Sequence, residues 1–326
     1  HDLPRETPYI ATHVWPSQAA VHAGFTQVVN AIPDNWAMGL HLSEGALHLV
    51  QTPSSYLAYR TLKGFAGDEI LKPMSEKDIC YAGHYMDDEM VANIESDCKK
   101  RLFRVQNGKP LRFLLTIGGA GAQGDYFASL IRTLMPFIRE KKVALYLNIG
   151  DYENVWGMFK AKIPGIENMS LTYFNDWSFT KQFAENALND ENCAGEESFG
   201  IHVFCHKDIF AAVYATNLLI RACDVLITKP SELAFYPVPK LMIQHVGGHE
   251  CWGAIRAAEV GDGTSECPTV DYANFMLREF IASPDLLEKM NNAIMANKRA
   301  GIYNGAYHAV ELAARITESK YEWAGK

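Results

Sequence analysis

Leu114-Leu115-Thr116-Ile117-Gly118-Gly119-Ala120-Gly121-Ala122-Gln123-Gly124-Asp125-Tyr126 reads as an apolar strand, a glycine-dense turn and the start of a helix that runs on through 127–138. Glycines at such a turn let the backbone approach an anion closely. The free amides and positive dipole end of the following helix stabilise the anion's charge. The stretch therefore predicts a phosphate cradle in an α/β fold. Gly119-x-Gly121-x-x-Gly124 also satisfies the dinucleotide fingerprint, and turns of this kind occur without any ligand, so the loop alone leaves the ligand open.

Outward from this turn the chain alternates between strand and helix. Apolar runs predict strands over 112–117, 143–149, 170–173, 200–205, 225–228 and 240–244, with helices between most of them, one of them over 214–222. Two helices, 284–298 and 304–321, close the chain, and the polar, acidic stretch 189–198 reads as an exposed loop. Upstream, 9–12 reads as a short buried strand, 17–25 as a helix, and 27–32, 46–50 and 78–82 as further strands. A helix over 53–63 starts at a Thr52 cap. This rhythm predicts parallel sheets covered by helices, arranged as two Rossmann-like domains facing a cleft. The turn-forming stretch 106–110 divides a partial N-terminal domain, 1–107, from a ligand-binding domain, 108–326.

The 326 residues, 48% hydrophobic and 11% aromatic, are enough for two domains with real cores. A net charge of −8 gives no basic field for polyanions, so nucleic acid is not expected as a partner. The seven cysteines are odd in number and contain no Cys-x-x-Cys pair, which predicts reduced thiols and a cytoplasmic location. His202-x-x-Cys205-His206 and His245-x-x-x-His249 have a faint metal-site spacing, but neither brings four ligands together, and no metal is expected. No apolar run is long enough to span a bilayer.

Two more turns follow predicted strands, where open α/β sheets bind ligands. In Thr228-Lys229-Pro230-Ser231-Glu232-Leu233, Lys229 can pair with a phosphate, and Ser231 and Glu232 can hydrogen-bond sugar hydroxyls. In Gln244-His245-Val246-Gly247-Gly248-His249-Glu250-Cys251, the glycines permit close approach, and His249 and Glu250 stand at a helix start.

The order of three segments, Phe113 to Gly121, Ala222 to Leu233 and Val246-Gly247-Gly248-His249-Glu250, resembles the C-terminal domain of GT-B glycosyltransferases. The most similar group holds diacylglycerol glycosyltransferases, monogalactosyldiacylglycerol synthases and the lipid-linked N-acetylglucosaminyltransferase of peptidoglycan synthesis. Gly45-Ala46-Leu47-His48-Leu49-Val50-Gln51-Thr52-Pro53-Ser54 and Gly83-His84-Tyr85 extend the resemblance upstream, so that it covers most of 9–315 and is strongest over 111–265.

The resemblance implies a nucleotide-sugar co-substrate of the uridine diphosphate type and no resident cofactor. It implies donor contacts from Gly118, Gly119, Ala120, Gly121, His206, Thr228, Lys229, Ser231, Glu232, Gly248, His249 and Glu250. Lys229 and helix amides would stabilise the leaving diphosphate without a metal, and His13 or His22 would deprotonate an unknown acceptor. Three departures stand out. Ser231-Glu232 replaces paired glycines, the helix after them shrinks to 234–239, and the first domain's opening glycine loop is absent. The last departure predicts a short first sheet with an apolar edge near Tyr9, covered by an upstream segment, a second subunit or the helix 304–321. Two other functions stay open: an NAD-dependent oxidoreductase, with Asp151 as the ribose-binding acid, and a non-catalytic sugar-nucleotide sensor.

Overall fold

A computed structural model describes residues 3–62, 72–117, 123–190 and 192–324, with side chains at all of these except Val14, His249 and 316–324. The chain forms two compact units, His1–Val91 with Asn297–Lys326, and Ala92–Ala296.

The first unit holds β1 (Tyr9–Ala11), α1 (Val14–His22), β2 (Val28–Ala31), β3 (Leu47–Val50), α2 (Pro53–Thr61) and β4 (Ile79–Tyr81), and it receives the C-terminal helix described below. Its four strands are parallel and lie in sequence order. Thr52 caps α2 by accepting from the Ser55 amide at 3.1 Å, as its position before Pro53 predicts. β1 is only partly buried. It is an edge strand, so Ala11 faces the core while Ile10 is exposed.

The helix α3 (Asp88–Gln106) carries the chain into the second unit. There follow β5 (Leu111–Thr116), α4 (Gly124–Arg139), β6 (Val143–Asn148), α5 (Glu153–Lys162), β7 (Ser170–Phe174), α6 (Trp177–Asn189), β8 (Gly200–Cys205), α7 (Ile209–Ala222), β9 (Val225–Thr228), β10 (Lys240–Met242), α8 (Cys251–Glu259), α9 (Val270–Ala282), α10 (Pro284–Arg299) and α11 (Gly305–Ala324). The six strands are parallel in the order β10-β9-β5-β6-β8-β7. Strands covered on both faces need continuous apolar runs, and every residue of β6 and β9 is buried. The amphipathic helix α4 buries Phe127, Leu130, Ile131, Leu134 and Ile138 against this sheet.

The helix α11 returns to the first unit, where it packs on β1 and β2. Ala309 and Ala313 share a small core there with Val29, Leu49 and Ala82. Gly83 and Gly305 are backbone-to-backbone contacts of this return. A Cβ on Gly83, which has φ +90°, would meet the Ile302 carbonyl oxygen at 2.7 Å. Among the described residues no helix is long and apolar enough to cross a membrane.

Candidate functional site

After β5 the chain proceeds to β6 and the strands beyond it, then crosses back to lay β9 and β10 on the other side of β5. The crevice outside the carboxyl ends of β5 and β9 is thus the sheet's switch point, where such folds accept ligands. A cavity of about 390 Å³ opens there. The ends of β5 and β9 meet in its wall: Thr116 Oγ1 donates to Thr228 Oγ1 at 3.4 Å, and Thr228 Oγ1 donates to the Lys229 carbonyl at 3.1 Å. Lys229, Ser231 and Glu232 continue the polar wall, while Ile209 and Val213 of α7 give the cavity an apolar side. The combination fits a ligand with both a charged part and a flat or apolar part.

Asn148, at the end of β6, braces the floor. Its Nδ2 donates to Thr216 Oγ1 at 2.8 Å, and its Oδ1 accepts from the Gly150 amide at 3.1 Å. Gly150 adopts φ +63°, a left-handed conformation that favours glycine, and this turn delivers Asp151 to the cavity. Asn148, Gly150, Thr216 and Asn217 all line the cavity although the reading of motifs passed over them. For Asn148 the available signal was its place at the end of a predicted strand. Thr216 and Asn217 carried one too, as polar residues inside the apolar helical run 209–222.

The third turn stands beside the second. Lys229 Nζ pairs with Glu250 Oε1, and Glu250 Oε2 accepts from the amides of Val246 at 2.9 Å and Gly247 at 3.2 Å. Burial by itself would raise the Glu250 pKa, but Lys229 and the two amides outweigh it and hold the carboxyl below its ordinary range. Glu250 is thus an internal counter-charge to Lys229. Gly253 lets α8 approach this region, since a Cβ there would run into the backbone carbonyl of Pro230.

Of the donor contacts expected from sequence, Thr228, Lys229, Ser231 and Glu232 line one cavity. Gly248 and the His249 backbone lie in the short turn Gly248–Glu250 that precedes α8. Gly118, Gly119, Ala120 and Gly121 lie outside the described residues, although β5 before them and α4 after them are described. Gln123 Nε2 donates to the Gln244 carbonyl at 3.0 Å, tying the start of α4 to the segment after β10. His206 is buried and does not line the cavity. Its Nε2 is 3.0 Å from Thr180 Oγ1, its ring meets Trp177 edge-on, and burial lowers its pKa. His13 and His22 stand exposed at the two ends of α1 in the first unit.

No curated protein sequence matches the chain. Among solved structures, the UDP-GlcNAc 2-epimerase from Neisseria meningitidis bound to UDP-GlcNAc is similar at 12% identity, over 94% of this chain and 75% of that one, with a TM-score of 0.56. The S. aureus MnaA–UDP structure is similar at 10% identity over 98% and 76%, also with a TM-score of 0.56. The α,α-trehalose 6-phosphate synthase from Burkholderia multivorans is similar at 11% identity over 98% and 73%, with a TM-score of 0.50. These likenesses establish an α/β fold of two Rossmann-like domains, of the GT-B type. Residues 1–61 match the family model described as Domain of unknown function (DUF6937). Residues 74–314, most of the chain, match the one described as Domain of unknown function (DUF6938), and the chain belongs to this family.

Proposed function

We propose that the chain is a nucleotide-sugar-dependent hexosyltransferase whose donor, a uridine diphosphate sugar, binds at the carboxyl ends of β5 and β9. The observation that carries the reading is the meeting of Thr116 and Thr228, 112 residues apart, with Lys229 beside them at the mouth of a cavity on the switch point. The order of the three turns supports the lipid-directed group of GT-B transferases, and two solved structures of this fold carry UDP or UDP-GlcNAc. All seven cysteines are free, which supports action in the cytoplasm.

In the reaction, the bond from the anomeric carbon to the diphosphate oxygen breaks with its electron pair leaving on the diphosphate. Lys229 and the amides at the start of α4 stabilise that charge. The acceptor oxygen bonds to the anomeric carbon and gives its proton to a base, for which His13 and His22 are the candidates. Ser231 and Glu232 offer hydrogen bonds to sugar hydroxyls.

Thermal unfolding with UDP, UDP-hexoses and NAD tests the reading. A ligand at about a hundred times its Kd stabilises the native state by about 2.7 kcal/mol, so UDP raises the melting temperature and NAD does not. A second reading, a nicotinamide-dependent oxidoreductase, is favoured by Asp151 lining the same cavity at the end of the strand next to β5. Stabilisation by NAD alone would put it first. Release of UDP only when an acceptor is added separates a transferase from a sensor.

A further inference from the structure

The cavity wall formed by 231–236 is an unusual piece of backbone. The short 3-10 turn Glu232–Phe235 runs straight into Tyr236-Pro237-Val238-Pro239 and then β10, so the segment has few ways to satisfy its own carbonyls. Backbone amides satisfy some of them, and buried cations that do not line the cavity add further donors. Arg256 Nη1 donates to the Ala234 carbonyl at 3.0 Å, and Arg101 Nη1 to that of Pro237 at 3.3 Å. Lys240 Nζ donates to the carbonyls of Tyr236 at 2.8 Å and Val238 at 2.9 Å, and stands 3.0 Å from Asp262 Oδ1. Lys240 and Asp262 are wholly inaccessible, and Tyr236 itself lines the cavity.

We infer that Lys240 is a positioning residue for this cavity: anchored on Asp262, its Nζ holds the carbonyls of Tyr236 and Val238 and so fixes the C-terminal end of the wall, where Tyr236 lines the cavity. Three acceptors surround Nζ, two carbonyls and a carboxylate. Only the ammonium form has three donors. A neutral amine has two and turns its lone pair on the third acceptor. All three anchors of this end of the wall are therefore made only while Lys240 is protonated. The inference rests on the nucleotide-sugar reading for the identity of the ligand.

The groups around Nζ come from three elements. The carboxylate is Asp262, after α8; Arg256 faces it from α8, and Arg101 from α3. Beyond Arg101 lie the Cys98 thiol at 4.0 Å, the Cys223 thiol, which burial pushes up to about 12, and the Arg104–Asp224 pair. Burial lowers Lys240 to about 8, with Asp262 opposing the shift and the two arginines adding to it. Between pH 8 and the ordinary lysine value, the unfolded chain binds this proton more tightly than the folded one. This group's contribution to folding stability therefore rises with pH over that window. A purely structural lysine would show only that rise, whereas a positioning lysine also shows affinity falling.

Calorimetric titration of the full chain with UDP from pH 7 to 9.5, beside melting of the free protein, tests this. The expected result is a Kd about tenfold weaker at pH 9 than at pH 7 without a lower melting temperature, because about one molecule in ten remains competent one unit above the titration. Lys240→Met should bind more weakly at every pH, with a flat profile. If that variant does not fold, the wild-type profile decides alone. A Kd constant across the range overturns the positioning role and leaves the nucleotide reading standing. Absence of UDP binding at every pH overturns both.

Discussion

Replacing Glu250 with alanine separates an internal counter-charge from a ligand contact. The carboxylate makes three interactions: two with the backbone amides of Val246 and Gly247 and one with Lys229. Hydrogen bonds of this kind are worth about 0.5 to 1.5 kcal/mol each. The Lys229 side chain is 32% exposed, so solvent screening leaves the ion pair only about 0.5 kcal/mol. Glu250→Ala should therefore cost about 2 to 3 kcal/mol at pH 7, a fall of roughly 4 to 12 °C in the melting temperature of a unit this size. Because the folded pKa lies below the ordinary glutamate value of 4.5, the stabilisation is present above that value and is lost as pH falls through the folded one. The penalty should accordingly shrink in urea unfolding at pH 4. UDP affinity should hold or improve, since Lys229 loses a competing anion. A variant with an unchanged melting temperature and abolished UDP binding would refute the argument and make Glu250 a donor contact.

Lys229→Ala should weaken UDP binding by about 1 to 3 kcal/mol in calorimetry and cost under about 1 kcal/mol of stability, because its part-exposed ion pair with Glu250 is screened by solvent. Gly253→Ala should destabilise by about 1 to 3 kcal/mol and weaken UDP, because the new methyl must push the Pro230 carbonyl and with it the cavity wall. His206→Ala should lower stability by about 1 to 3 kcal/mol through the lost Thr180 hydrogen bond and Trp177 contact, and leave the UDP Kd unchanged. A weakened Kd with an intact melting temperature would return His206 to the donor site.

Strands and turns were legible in the sequence because parallel strands need continuous apolar runs and glycines mark where the backbone must turn. The runs over 112–117, 143–149 and 225–228 became β5, β6 and β9 to within a residue or so. The short, polar turn Thr228-Lys229-Pro230-Ser231-Glu232 was legible as a candidate site because it follows one of those strands, and four of its residues line the cavity. The helix α3 escaped notice because its exposed face is strongly polar. Its buried face, Met90, Ile94, Cys98, Arg101 and Val105, includes an arginine where an apolar residue would have announced it.

By itself the sequence determined the α/β class, the parallel strands and the turns that carry candidate chemistry, all of which follow from local periodicity and backbone freedom. Only the tertiary structure decided which charges are spent inside the protein. Arg101, Arg112 and Lys240 are among the largest fully buried side chains, and a composition reading would leave them in water. Arg101 and Arg112 are held by acceptors 75 to 136 residues away in the chain, whereas Lys240 turns back on carbonyls two and four residues before it and on Asp262. The same holds for Glu250, which satisfies Lys229 and two amides, and for α11, which completes the first unit's core from the far end of the chain. A buried charge is tolerable only where the fold supplies partners, and those partners meet only after the sheet has assembled.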